Sequence, residues 1–151
     1  MKTTIEKFYV IGISVRTTNE GGQAAKDIPQ LWDRFVSEDI ESKIPNKAST
    51  DLYGIYTEYE GDFMQPYTTI VGYKVSSLDN IPEGLIGLTI ETSNYEEFTA
   101  KGKLSDDIVF NKWTEIWKSD LDRAYLADFE IYPEKSCEMD NAEIEIFVSI
   151  K

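Results

Sequence analysis

Apolar residues recur along this chain at two periods. At helical spacing, Ile28, Leu31, Trp32, Phe35, Val36 and Ile40 fall on one stripe and predict a helix over 27–40. Asp27 can cap it, Pro29 suits its first turn, and Gln30 completes a capping-box-like spacing. A second stripe, Val109, Trp113, Ile116 and Trp117, predicts a helix over 105–119. Ser105 is its cap, followed by Asp106 and Asp107 where the helix dipole favours negative charge. Strand-like runs lie at 8–15, 52–59, 67–75, 85–90, 95–100, 125–132 and 143–150. A turn around Glu60-Gly61-Asp62 joins the second and third.

The elements repeat. Each half reads strand, helix, strand, strand, with the run at 85–90 linking the halves. WDRF at 32–35 echoes WTEIW at 113–117, an offset of 113 − 32 = 81. LYGIY at 52–56 corresponds to LADFE at 126–130, an offset of 126 − 52 = 74. The pattern predicts an α+β fold: a pseudo-twofold pair of units forming a curved antiparallel sheet, with two helices on one side; a central ligand cleft follows only if the two halves meet along the pseudo-twofold. The expected organisation is a single domain over 1–151, with halves near 1–80 and 81–151.

Composition narrows the chemistry. The 151 residues suffice for a real core, and no run approaches the roughly 20 apolar residues of a membrane span. The N-terminal run is too short, and too interrupted by Glu6 and Lys7, for a signal peptide, so the cytoplasm is expected. One cysteine, Cys137, excludes an internal disulfide and agrees with a reducing compartment; its polar surroundings suggest no role. A net charge of −13 repels phosphate backbones, so direct nucleic-acid binding is not expected. That acidity serves solubility on one reading and attraction of cationic ligands on another. The chain has no histidine and no P-loop, G-x-S-x-G or C-x-x-C motif. Triad hydrolases, zinc enzymes and nucleotide enzymes are therefore disfavoured, and no metal or cofactor is expected.

One acid stands out. Glu130 lies inside a run of strand-forming residues, YLADFEIYPE at 125–134. By alternation, Leu126, Asp128, Glu130 and Tyr132 share one face, while Ala127, Phe129 and Ile131 share the other. Ile144, Ile146, Val148 and Ile150 should face the core under the helices, joined by Phe129 and Ile131, so that Glu130 points away from that core. Tyr56 takes the equivalent place in the first half. If the second face meets water, Glu130 is an ordinary exposed acid. If the halves meet along the pseudo-twofold, Glu130 and Tyr56 sit together at the floor of a cleft.

Several segments, in order and spacing, resemble the GyrI-like small-molecule-binding family, which includes the effector-binding domains of AraC-type and MerR-type multidrug regulators. They are FYVIGISVRT, LWDRF, LYGIY, YTTIVGYKV, NYEEFTAKG, FNKWTEIW, DFEIYPE and AEIEIFVSIK, spanning nearly the whole chain. With no added DNA-binding domain expected, the chain is similar to the stand-alone members, whose roles include sensing, sequestration and toxin protection. In that family the acid of the FE-x-Y pattern lies at the base of an aromatic pocket and meets lipophilic cations. The matching residue is Glu130, within Phe129-Glu130-Ile131-Tyr132.

The resemblance implies one acid among several aromatics, a design that accepts a class of compounds. The candidate walls are Tyr56, Tyr95, Phe98, Trp113, Trp117 and Tyr67, and each Trp equally fits plain core packing. Met64 is a loop residue that could supply a soft rim. The leading expectation is a module that binds hydrophobic, cationic small molecules. A second is hydrolysis of strained electrophilic toxins, with Glu130 and Tyr56 as the catalytic pair. A third is an acidic protein-interaction inhibitor of the gyrase type. The aromatic surplus fits a homodimer interface as readily as a pocket.

Overall fold

The structure, a computed structural model, describes residues 2–61, 65–103, 107–133 and 142–151. Asp62, Met64, Ser105, Asp106 and Cys137, all discussed above, lie outside the described residues. The chain forms β1 (Lys2–Ile5), β2 (Phe8–Thr17), α1 (Gln23–Ser37), α2 (Ile40–Lys43), β3 (Lys47–Thr57), β4 (Tyr67–Val75), β5 (Ile86–Ile90), β6 (Ser93–Gly102), α3 (Ile108–Lys118), β7 (Ala127–Tyr132) and β8 (Ala142–Ser149). All eight strands join one antiparallel sheet in the order β1-β6-β8-β7-β3-β4-β2-β5.

That order is symmetric about its centre. Reversing it exchanges β7 with β3, β8 with β4, β6 with β2 and β1 with β5. The offset of 74 read from the sequence is the symmetry operation. It carries Gly54 to 54 + 74 = 128 and Tyr56 to 56 + 74 = 130, so the register pair Gly54↔Glu130 maps onto Tyr56↔Asp128. Ile55↔Phe129 sits on the axis.

The sheet is strongly curled. Residues 6–7 alone link β1 to β2, and residues 91–92 alone link β5 to β6, although each pair lies toward opposite ends of the sheet. So short a link spans roughly 10 Å, which draws the two ends together. The Lys7 amide donates to Thr92 Oγ1 at 2.9 Å across that junction. The enclosed face buries Phe8, Tyr53, Tyr95, Phe129 and Phe147, with Phe129 stacked on Phe147 at 4.9 Å between centroids. Where β2 meets β4, Gly12 faces Gly72, and a Cβ on Gly12 would come within 2.1 Å of the Val71 carbonyl oxygen.

The helices lie on the outer face. α1 packs over β2 and β4, and α3 over β6, so they flank the central β3–β7 pair. Under α1, Leu31 and Phe35 pack with Ile11, Ile13, Val71 and Tyr73. Under α3, Trp113 and Ile116 pack with Ile144, Ile146 and Val148. No helix among the described residues is long and apolar enough to cross a membrane.

Three expectations change. α1 begins at Gln23, a turn earlier than Asp27, because Gly21 and Gly22 supply the left-handed conformations (φ 66° and 75°) that turn the chain into it. Asp27 accepts from Gln23 Nε2 at 3.0 Å inside the helix, and Pro29 lies within it, past the first turn. Val36, assigned to the apolar stripe, is 76 % exposed, and Ile40 belongs to the separate short α2. Most consequential are the faces of β7. Residues directly opposed in an antiparallel ladder share a face, and the ladder pairs Glu130 with Ile146 and Phe129 with Phe147. Glu130 therefore points to the helix side, and Phe129 enters the enclosed aromatic core instead.

Candidate functional site

Flanking helices over a bare central strand pair make a trough, and in this chain it is a cavity of about 800 Å³. Its floor comes from the central strands: Tyr56 on β3, Glu130 and Tyr132 on β7. α1 contributes Ile28, Pro29 and Trp32 to one wall; α3 contributes Val109, Phe110, Trp113 and Trp117 to the other. Tyr59, Tyr67 and Arg123 close one end. Trp113 meets Tyr56 edge-to-face at 5.5 Å, and Trp32 meets Tyr132 the same way at 5.0 Å.

Glu130 is 1 % exposed. Its carboxylate accepts three hydrogen bonds, from Tyr56 Oη at 3.0 Å, from Tyr132 Oη at 2.6 Å and from Trp113 Nε1. All three donors are neutral. Burial pushes the carboxyl above the usual carboxylate value, while the bonds from Tyr132, Trp113 and Tyr56 pull it down. The same burial, with the acid alongside, raises Tyr56 and Tyr132 well above a usual phenol, so both remain donors. Tyr67 is pushed up to about 12, by burial first and then by Glu130.

Space for the acid is made by its register partner. A Cβ on Gly54 would stand 3.2 Å from Glu130 Oε1 and 3.5 Å from Trp32 Cζ2. Beside this centre lies a second buried charge. Asp128 is fully buried and accepts from Tyr59 Oη (2.7 Å), Arg123 Nη2 (2.7 Å), the Ser149 amide (2.7 Å) and Ser149 Oγ (2.9 Å). Burial, the largest single effect, works against the charge on Arg123, but Asp128, Tyr59 and Tyr125 together offset it and leave the guanidinium above its usual value.

Of the residues named from sequence, Glu130, Tyr56, Tyr67, Trp113 and Trp117 come together around the cavity. Tyr95 does not. Its partner in the ladder is Ser149, which puts its ring in the enclosed core against Phe129 at 5.3 Å. Phe98 pairs with Ile146 and packs beneath α3, away from the lining. Sequence reasoning missed Trp32, Tyr59, Tyr132 and Arg123. Tyr132 was findable, because it stands two residues from Glu130 on the same face. Arg123 belongs to an irregular segment after α3 and carries no periodic signal.

The chain can now be set beside known proteins. The integron-associated effector binding protein family, Cass2, matches residues 3–150. The Bacillus subtilis (strain 168) protein YobU, assigned by name to transcriptional regulation, is 30 % identical over 145 residues, covering 93 % of this chain and 90 % of its own. The Vibrio cholerae integron cassette protein VCH_CASS2 superposes with a TM-score of 0.79 at 26 % identity, over 100 % of this chain and 95 % of that one. SAV2435, solved bound to tetraphenylphosphonium, superposes with a TM-score of 0.78 at 18 % identity, over 100 % and 93 %. The match over nearly every residue settles the family: this chain belongs to the integron-associated effector-binding proteins.

Proposed function

We propose that the cavity captures lipophilic organic cations, with Glu130 as the buried counter-ion and Tyr56, Tyr67, Trp113, Trp117, Trp32 and Tyr132 as the walls. In this reading the protein is a sensor or sink in transcription regulation or the response to drugs and toxins. The observation that carries it is the carboxylate at the cavity floor, ionisable, buried and, among the described residues, held by neutral donors alone. A buried charge without an opposite charge is costly, and an incoming cation relieves that cost. Aromatic faces add attraction of roughly 0.5–2 kcal/mol each. Three donors fix the carboxylate as an acceptor, which suits charge complementarity better than proton abstraction. The phosphonium bound by the structurally similar SAV2435 has the same chemistry.

The test is calorimetric titration of tetraphenylphosphonium into wild type and Glu130→Gln. At about 6 Å and an effective dielectric of about 20, one unit charge contributes about 2–3 kcal/mol. The variant should therefore bind at least about thirty-fold more weakly, with its melting temperature maintained. Equal affinity in both proteins would defeat this reading.

A further inference from the structure

The cavity has a second pole. Arg123 lines it, with its side chain 5 % exposed, and its Nη2 is engaged by Asp128. Its Nε and Nη1 are buried and have no hydrogen-bond partner among the described residues. Asp128 cannot serve them. Its two oxygens already accept four hydrogen bonds, about the full capacity of a carboxylate. Buried donors in folded proteins are almost always satisfied, so two on one cation at a cavity wall, unpartnered among the described residues, suit an acceptor brought by a ligand.

The position of Arg123 supports this. Trp113 lies between the poles: its Nε1 donates to Glu130, and its ring centroid is 5.8 Å from the Arg123 guanidinium carbon. The guanidinium also meets Tyr125 at 4.4 Å, and that tyrosine holds a left-handed φ of 54°. For a tyrosine such a φ is strained, and the surrounding structure must hold it in place. The planar guanidinium is thus fixed at the cavity's end with part of its donor fork unused.

We propose that Arg123 is a second anchor of the same cavity, binding an anionic oxygen such as a carboxylate carried by the lipophilic cation that Glu130 neutralises. This rests on the cation-binding reading above. The preferred ligands are then lipophilic zwitterions, whose two charges meet Glu130 and Arg123 on either side of Trp113. Both donors are shielded from solvent, so engagement requires the side chain to turn slightly outward while Nη2 stays on Asp128. Arginine is suited to this divided use, because its fork presents several donors in fixed directions.

A matched pair of probes tests the idea by calorimetry on the full chain: (4-carboxybutyl)triphenylphosphonium and its methyl ester. Both carry the same cation, and only the first carries a carboxylate. Glu130 and the net charge of −13 alone would repel the carboxylate arm and favour the ester. With Arg123 engaged, the acid should bind wild type about tenfold more tightly than the ester. Arg123→Lys keeps a cation for Asp128 but lacks the fork, so the acid's advantage, read as the ratio of acid to ester affinity within the variant, should vanish. Should that variant fail to fold, Arg123→Met with Asp128→Asn removes the ion pair together and predicts the same loss. An acid no tighter than the ester, or an advantage that survives these substitutions, overturns the Arg123 subsite. Should tetraphenylphosphonium still bind wild type in that case, the cation-binding reading stands. Failure of all three phosphonium probes to bind wild type overturns both.

Discussion

Glu130 is pulled by opposed effects that differ in their response to a ligand. Burial raises its proton affinity, and the bonds from Tyr132, Trp113 and Tyr56 lower it, with burial the stronger. The unfolded carboxyl keeps its ordinary value, so between that value and the raised one the unfolded state binds fewer protons. Glu130's own contribution to stability therefore declines as pH rises through that window. Cation binding has the opposite sign. Only the ionised carboxylate supplies counter-charge, so affinity for tetraphenylphosphonium should rise with pH through the same window. Titrations from pH about 4 to about 8 should show that rise in wild type and a nearly flat profile in Glu130→Gln. Parallel profiles would mean that the surface acids, and not Glu130, set the pH response.

At the scale of elements, the site depends on two strands with unequal jobs. β3 and β7 are symmetry mates, yet the operation sets Tyr56 against Glu130 and Gly54 against Asp128. One strand supplies donor and space, the other the charges. Gly54→Ala tests the space. The new methyl would press on Glu130 Oε1 at 3.2 Å, so the carboxylate must shift by a few tenths of an ångström. Expected are a destabilisation of about 1 kcal/mol by thermal melting and a loss of about threefold to tenfold in phosphonium affinity. Unchanged affinity would show that the acid's position is not critical. Much of this arrangement was legible in the sequence. The repeat gave the offset of 74, and with it the pairing of Tyr56 and Glu130. Alternation grouped Asp128, Glu130 and Tyr132 on one face. Alternation does not say which face meets the helices; the register with β8 decides that, and it is a long-range fact. Tyr95 was misplaced for the same reason, since its face follows from pairing with Ser149. Pro29 read as a helix start because the glycine turn before Gln23 leaves no periodic trace.

At the scale of the molecule, charge and cavity act over different distances. The excess of acids, 28 against 15 basic residues, surrounds a site whose buried charges are the Arg123–Asp128 pair and Glu130, with the exposed Asp107 also in the lining. An approaching cation feels the whole field, which salt screens with a Debye length of about 10 Å at 0.1 M. Once seated, it feels Glu130 and the rings at contact distance, where salt does not enter. Association and dissociation should therefore separate. Raising the salt from about 0.02 M to about 0.5 M should slow tetraphenylphosphonium association by about three- to tenfold and leave its dissociation rate nearly unchanged. Trp32, Trp113 and Trp117 line the cavity, so stopped-flow tryptophan fluorescence can follow both rates. Glu130→Gln should show the reverse: an almost normal association rate, because it removes one charge of many, and a much faster dissociation. Should the substitution instead act mainly on association, Glu130 would be steering ligands from the rim, and the contact-distance role assigned to it at the cavity floor would fail.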